Sequence, residues 1–210
     1  MCPRVLYYDC ETTGLPNWHA PSDDPSQPRI IQLAAIMFDD DREVACINAT
    51  ITPNGWEIPE EVARLTGIST AMAERYGVPI AAAIEPFLHL WRRADLRVAH
   101  NEKFDARMIR TEMKRSPRWA PYADRWKAGA SYCTMDAASP ILNLPPTEKM
   151  IAAGYDKPKP PKLSEAYRYF FDADLEGAHD ALVDVRACQK IHARLTALEA
   201  DAECARTEAA

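Results

Sequence analysis

Two acidic residues near the N-terminus, Asp9 and Glu11, are the first side chains whose spacing points to chemistry. They follow a short apolar run, residues 5–8. Because side chains alternate between the two faces of a strand, residues two apart project from the same face. Two carboxylates at the end of a buried strand repel each other and are costly to desolvate unless a cation joins them. A pair of divalent metal ions is therefore the candidate ligand, although an isolated D-x-E is more often an ordinary acidic strand end.

Two later segments carry further groups suited to such a site. Asn101 and Asp105 follow the apolar stretch 96–99, while His179 and Asp184 stand at the start of the last long helical pattern. Hard ions such as Mg²⁺ and Mn²⁺ prefer carboxylate oxygens as ligands. A histidine, with an ordinary pKa of roughly 6.5, is suited to accept a proton from water near neutral pH.

The three segments read D-x-E, N-x-x-F-D and H-x-x-x-x-D, and their order and local spacings resemble the DEDDh family of 3′–5′ exonucleases. This family includes the proofreading (epsilon) subunit of bacterial DNA polymerase III. The T-T-G-L continuation of the first motif and an L-T-G-I element at 65–68 agree, so the resemblance covers about residues 5–188. The DEDDy sister branch has tyrosine four residues before its last aspartate. Here Asp180 stands at that position and His179 precedes it, which favours the histidine branch.

The resemblance implies two divalent metal ions, Mg²⁺ or Mn²⁺, and a set of site residues. The implied catalytic residues are Asp9, Glu11, Asp105, His179 and Asp184, of which the four carboxylates hold the metals and His179 is the general base. Asp9 bridges both ions, Glu11 and Asp184 complete one coordination sphere, and Asp105 acts through water. The implied substrate-binding residues are Thr12, Thr13, Gly14, Leu15, Leu65, Asn101 and Phe104. Residues 12–15 form the turn that receives the terminal nucleotide, and Leu15 and Leu65 pack on its base. Phe104 either stacks on a base or belongs to the core.

The implied activity is hydrolysis at single-stranded or frayed DNA 3′ ends by a two-metal mechanism, with release of nucleoside 5′-monophosphates. One alternative is a 3′–5′ exoribonuclease of the ribonuclease T or oligoribonuclease kind, since these share all five catalytic residues. The other is a catalytically silent nucleic-acid-binding module of the same fold. Single-stranded DNA, or RNA, is thus the expected partner. A polymerase or other replication protein is a further one, although no recognisable binding tail follows Leu198.

Length and composition agree with one soluble domain. We expect a single exonuclease domain at 1–198 and a frayed Ala- and Glu-rich tail at 199–210. The net charge is −6, yet residues 92–127 hold 11 Lys and Arg against 5 Asp and Glu, so this segment suits phosphates. No apolar run approaches the roughly 20 residues of a membrane helix, so no membrane partner is expected. The absence of room for a signal peptide before residue 4 and six scattered cysteines predict a cytoplasmic location.

The hydrophobic patterns predict an α/β protein. Three meander strands at 4–9, 29–38 and 43–52 precede helices at 59–65, 69–76 and 79–93. A fourth strand at 96–100, a helix at 102–114, a fifth strand at 132–135 and a helix near 136–142 follow. A Pro-rich surface loop at 143–162 then leads to helices at 163–171 and about 180–198. The resemblance implies a ribonuclease H-like fold, with helices around a mixed five-stranded sheet of order 3-2-1-4-5.

Overall fold

The computed structural model describes residues 3–208. Residues 1–2 of the predicted domain, which include Cys2, and residues 209–210 of the predicted tail lie outside the described residues. Five strands form one mixed sheet: β1 (Val5–Thr12), β2 (Ile30–Asp39), β3 (Arg42–Thr50), β4 (Leu96–Ala99) and β5 (Ser131–Cys133). Their order is β3-β2-β1-β4-β5, as predicted. The meander pairs β1 with β2 and β2 with β3 antiparallel, whereas β4 runs parallel to β1 and to β5.

Helices cover both faces of this sheet. They are α1 (Glu60–Thr66), α2 (Thr70–Tyr76), α3 (Ile80–Trp91), α4 (Glu102–Lys114), α5 (Ala123–Ala128), α6 (Thr134–Leu142), α7 (Glu148–Ala152), α8 (Leu163–Phe171) and α9 (Ala181–Glu208), with a 3₁₀ turn at Ala120–Tyr122 before α5. Among residues 3–208, no helix combines the length and the apolar character that crossing a bilayer requires.

Alternation along β1 divides the core into two layers. Leu6, Tyr8 and Cys10 face the larger layer, which α3, α4 and α5 cover. Val5 and Tyr7 face the opposite layer, which the first turns of α9 cover. Cys10, between the two acidic residues, therefore belongs to the core. Because Asp9 and Glu11 share the parity of Val5 and Tyr7, they project on the α9 side of the sheet.

Trp126 lies at the centre of the larger layer and is fully buried. Its ring centroid lies 5.5 Å from that of Tyr8, 5.6 Å from Phe87 and 5.3 Å from Trp91. Trp126, which comes from α5, thus belongs to the main core. Aromatic clusters of this kind stabilise a core beyond the area they bury.

The structure differs from the predicted helices in two places. The Pro-rich segment 143–162 contains a helix, α7, because Thr147 Oγ1 accepts a hydrogen bond from the amide of Met150 (3.2 Å) and no proline follows until Pro158. The last helix does not end near Leu198 but continues to Glu208, since Ala, Glu and Arg are strong helix formers. Fraying of this exposed end remains a prediction.

Candidate active site

The C-terminal end of the central strand β1 presents two carboxylates on one face. Asp9 and Glu11 are both partly buried, and Cys10 between them points into the opposite layer. The strand continues to Thr12, three residues beyond its predicted end, so both acidic residues lie within the paired strand, whose register shifts only between Glu11 and Thr12. Their common direction is thus set by the strand and not by a loop.

The third carboxylate, Asp105, comes from the first turn of α4 and is buried. Asn101 adopts a left-handed conformation (φ 61°) between β4 and α4, which reverses the chain within one residue. Asparagine tolerates this conformation better than most residues. The reversal returns Asp105 to β1, where its Oδ1 accepts a hydrogen bond from the amide of Cys10 (3.0 Å). Asn101 itself is exposed at this edge.

The fourth carboxylate and the histidine come from the start of α9. Asp180 caps this helix, since its Oδ1 accepts hydrogen bonds from the amides of Leu182 (2.9 Å) and Val183 (3.3 Å). His179 is left-handed (φ 71°) and its amide donates to Asp184 Oδ2 (3.2 Å). Ligand atoms of Glu11, His179 and Asp184 all lie within 4.8 Å of one another. The structure therefore gathers all five predicted catalytic residues at one edge of the sheet.

The four carboxylates share a strong electrostatic signature. Burial raises the pKa of Asp9 well above its usual range, and repulsion from Asp105, Asp184 and Glu11 raises it further. Burial, aided by repulsion from Asp184, raises the pKa of Glu11 to about 7. Burial also raises the pKa of Asp184 to about 6, against the opposing effect of the His179 amide. Burial also raises the pKa of Asp105, despite the opposing effect of the hydrogen bond from the Cys10 amide. The folded protein therefore disfavours the ionised forms of these carboxylates.

Nothing on the described part of the chain neutralises this cluster. No Lys or Arg among residues 3–208 forms an ion pair with any of the four carboxylates. Asp184 Oδ1 is buried and has no hydrogen-bond partner. Buried polar atoms in proteins are nearly always paired. Unpaired carboxylate oxygens turned toward one another fit hard divalent cations, so the donor set agrees with the predicted metal site.

The predicted substrate turn, residues 12–15, is built by its own side chains. Thr12 Oγ1 donates to the carbonyl of Gly14 (2.8 Å), and Thr13 Oγ1 accepts from the amide of Arg29 (2.9 Å). The Thr13 amide donates to the Arg29 carbonyl (2.9 Å), so that amide is occupied within the protein. Leu15 is 84% exposed and Leu65 is 55% exposed, which leaves both side chains available for contact.

Phe104 and His100 have roles in packing. Phe104 is partly buried and packs against the larger core layer, while one side stays accessible. His100 follows β4, and its Nε2 lies 3.0 Å from the carbonyl oxygen of Pro161 and its Nδ1 2.9 Å from Thr134 Oγ1. Burial lowers the pKa of His100 to about 4. It is therefore a neutral strand-end residue that joins β4 to the 143–162 segment.

Sequence reasoning missed Gln32, which supports the site from β2. Gln32 pairs with Glu11 across the sheet, and its Oε1 accepts from the amide of Ala181 (3.1 Å) at the start of α9. Its Nε2 donates to Asn48 Oδ1 on β3 (3.0 Å). This buried amide thus holds the α9 start beside Glu11. The available signal was one polar residue inside the otherwise apolar run 30–38.

The sheet order and the carboxylate cluster define a nuclease of the ribonuclease H-like class. Comparison with known families agrees with this class: the model of the exonuclease family named RNase_T matches residues 6–192. The chain therefore belongs to this family, and with its histidine and four acidic residues it is a DEDDh-type member. No curated protein matches the chain in sequence.

Solved structures of Exonuclease I share the fold. The E. coli enzyme in complex with a dT13 oligonucleotide is 20% identical with a TM-score of 0.68, covering 93% of this chain and 41% of that one. The enzyme from Methylocaldum szegediense is 24% identical with a TM-score of 0.66, covering 92% and 40%. A zinc-bound E. coli complex with single-stranded DNA is 20% identical with a TM-score of 0.64, covering 92% and 40%. The chain spans about two fifths of the length of these proteins.

Proposed function

We propose that this chain is a metal-dependent 3′–5′ exonuclease that removes nucleoside 5′-monophosphates from single-stranded or frayed DNA 3′ ends. The observation that carries the proposal is the convergence of four unneutralised carboxylates with His179 at the end of β1. The matching structures support a DNA substrate, since Exonuclease I was solved with a dT13 oligonucleotide. Family membership supports hydrolysis over a binding role, because every group that the chemistry needs is present.

Asp9, Glu11, Asp105 and Asp184 would hold two divalent ions, with Mg²⁺ or Mn²⁺ as the expected species. When bound, such ions neutralise the carboxylates, polarise the scissile phosphate and stabilise the leaving oxygen. The zinc-bound form of Exonuclease I supports a divalent cation in this fold without deciding its identity here. The orphaned Asp184 Oδ1 and the raised pKa values of the cluster support the same assignment from this chain's own residues.

His179 would accept the proton of the attacking water. The water oxygen forms a bond to phosphorus and the bond from phosphorus to the 3′ oxygen of the preceding nucleotide breaks. That oxygen takes a proton from solvent, so the products are a nucleoside 5′-monophosphate and a new 3′-hydroxyl. The imidazole is exposed and stands beside Glu11 and Asp184, where such a proton would be released. The left-handed Gly177 (φ 73°) two residues earlier supports a chain segment that can adjust to a bound strand.

The turn at 12–15, with its exposed Leu15, would position the terminal nucleotide. Leu15 and Leu65 offer apolar surface to a base of any identity, which suits trimming without sequence preference. Asn101 and the accessible side of Phe104 lie beside Asp105 and would contact the same nucleotide. An RNA substrate is the second candidate, since the matching family model carries the name of ribonuclease T. A polymerase partner and a cytoplasmic location remain predictions.

One experiment tests the proposal and its RNA alternative together. Purified protein is incubated with 5′-labelled DNA and RNA strands of the same sequence, with Mg²⁺, with Mn²⁺ and with chelator. We expect a ladder that shortens from the 3′ end, nucleoside 5′-monophosphates, and no products in chelator. A closed circular single strand serves as the control, since it has no 3′ end. Cleavage of the circle, or strand binding without any cleavage in either metal, contradicts the proposal, and the second result favours the silent module.

A further inference from the structure

A cavity on the outer side of α4, away from the carboxylate cluster, carries a concentration of positive charge. Its volume is about 320 Å³, within the range of small-ligand sites. Five of its lining side chains are cationic and one is acidic: Arg97, Lys103, Arg107, Arg110, Lys127 and Glu102. The indole of Trp18 forms part of the wall. We call this cavity, with these seven residues, the Trp18 pocket.

The three arginines of the Trp18 pocket build its walls. Arg97 Nε donates to Glu102 Oε1 (2.8 Å), which neutralises the only acidic group of the wall. Arg107 donates to the carbonyls of Asn17 and Ala20. Arg110 donates to the Ser22 hydroxyl (2.7 Å) and to the carboxylate of Asp124 (3.0 Å). Burial lowers the pKa of Arg107, and repulsion from the nearby Arg110 lowers it further, against the opposing effect of Asp23.

The loop that carries Trp18 is fixed in place. Gln27 is buried, and its Nε2 donates to the carbonyls of Asn17 (2.8 Å) and Pro21 (2.9 Å), while its Oε1 accepts from the Asn17 amide (3.1 Å). Arg115, just after α4, donates to the Pro28 carbonyl (2.9 Å). Trp18 is nevertheless 57% exposed, and no ring or cation of residues 3–208 stacks on it. A rigid loop therefore holds a bare indole against the cavity.

Two cations of the Trp18 pocket remain available. Lys103 and Lys127 are exposed, and neither forms an ion pair or a hydrogen bond with the described residues. Asp124, the acidic group next to Lys127, is already bound to Arg110. Free lysines around an unstacked aromatic ring are the combination by which proteins bind single-stranded nucleic acid, through phosphates and a base.

The Trp18 pocket lies across α4 from the carboxylates. Lys103 and Asp105 are two residues apart in the first turn, so their side chains diverge by about 200° around the helix axis. Asp105 faces β1, and Lys103 therefore faces the opposite side. The helix with its side chains is about 10–12 Å across. At about 3.4 Å per stacked nucleotide, a strand that passes around the start of α4 covers this distance with three or four nucleotides.

We propose that the Trp18 pocket binds a nucleotide of the substrate strand three or four positions upstream of the cleaved end. The Trp18 indole stacks on the base, and Lys103 and Lys127 contact the flanking phosphates. This inference rests on the proposed function and extends it, because it makes retention of the strand depend on a surface that takes no part in hydrolysis.

The test compares a DNA decamer with a DNA trimer, which is too short to reach the Trp18 pocket from the carboxylates. For Trp18→Ala we expect the Kd of the decamer, measured by fluorescence anisotropy in chelator, and its KM in Mn²⁺ to rise about tenfold, in line with the loss of one stacked base. Trp18→Phe keeps a ring and restores most of this loss. Lys103→Ala with Lys127→Ala lowers the salt dependence of log Kd by about 1.4, since each lost phosphate contact removes about 0.7. For every variant, the Kd and KM of the trimer stay within about twofold of the wild-type values.

Tyr169→Ala is the matched aromatic control, because Tyr169 is also 57% exposed but lies on α8. Arg194→Ala on α9 is the charge control. Equal Kd and KM for the decamer in wild type and in the Trp18 and lysine variants overturns the inference. A penalty of the same size on the trimer also overturns it. If wild type degrades neither strand, the proposed function fails, whereas the anisotropy in chelator still decides whether the pocket binds DNA. An RNA decamer shows whether the pocket distinguishes the sugar.

Discussion

The carboxylate cluster makes a sharp prediction about stability without metal: Glu11→Gln stabilises the metal-free protein at alkaline pH. The pKa of Glu11 is raised from its ordinary 4.5 to about 7, mainly by burial and then by Asp184 and Asp180. An acid whose pKa is raised on folding is destabilising above its folded pKa, because the folded state must release a proton that it holds more tightly than the unfolded chain. Below pH 4.5 this penalty is absent, and it grows through the window from about 4.5 to about 7.

The size of the effect follows from the difference in pKa. A pKa rise of about 2.5, at about 1.36 kcal/mol per pKa unit, means that the ionised Glu11 destabilises the folded state by about 3 kcal/mol above pH 7. At pH 5 this destabilisation is about 1 kcal/mol. The unfolding entropy of a chain of 210 residues is about 0.44 kcal/mol/K, so 3 kcal/mol corresponds to about 7 °C in Tm. Glutamine keeps the shape of the side chain without its charge, and the site is open enough to hydrate it.

Differential scanning calorimetry in chelator at pH 5 and pH 8 measures this effect. The difference in Tm between Glu11→Gln and wild type is expected to be several degrees at pH 8 and small at pH 5. Glu74→Gln on α2 is the matched control, since Glu74 is exposed and forms no ion pair with the described residues. Saturating Mn²⁺ should raise the Tm of wild type more than that of the variant, because the ion binds the folded state through this carboxylate. A metal-free variant that is less stable than wild type at pH 8 would refute the reasoning.

Further predictions concern catalysis and the core. Asp9→Ala should lower metal-dependent cleavage by several orders of magnitude in an oligonucleotide assay while the protein still folds; turnover like that of wild type would defeat the assignment. His179→Ala should lower turnover by about 10²–10⁴-fold and remove the acidic limb of the pH–rate profile. An unchanged limb means that another group takes the proton. Glu102→Ala leaves the buried guanidinium of Arg97 without its carboxylate, so urea unfolding should show a loss of about 3–5 kcal/mol. A loss under about 1 kcal/mol contradicts the view that this buried pair supports the start of α4.

The sequence allowed much of the fold to be predicted because the signals are local. Strand alternation placed Asp9 and Glu11 on one face of β1, and each remaining motif began at a strand end or a helix start. The meander and the order of the sheet also agreed with the prediction. Boundaries were less accurate where the deciding interaction involves a side chain that caps a helix. Thr147 begins α7 within a Pro-rich segment, and no apolar period marks so short a helix.

Interactions between distant residues could not be predicted from the sequence. Gln32 meets the amide of Ala181 across 149 positions, and nothing local to either residue indicates the contact. Arg110 binds Ser22 and Arg115 binds Pro28, 88 and 87 positions away, so distant side chains hold the segment 16–28. The basic segment 92–127 was expected to suit phosphates, and tertiary contacts show which of its cations are already paired within the described residues.

The left-handed residues at two motif boundaries connect the stability of the fold to its chemistry. Asn101 and His179 each turn the chain within one residue, with φ values of 61° and 71°. Such conformations cost of order 1 kcal/mol for residues other than glycine and persist only where the surroundings fix them. Here β4 and the capped start of α9 fix them, and each turn brings a helix-borne carboxylate back to β1. The same turns that strain the backbone also bring mutually repelling charges together, so two separate costs fall on one small region. The aromatic core around Trp126 and the hydrogen bond by which Gln32 holds the start of α9 stabilise the elements that carry these turns, and so offset both costs.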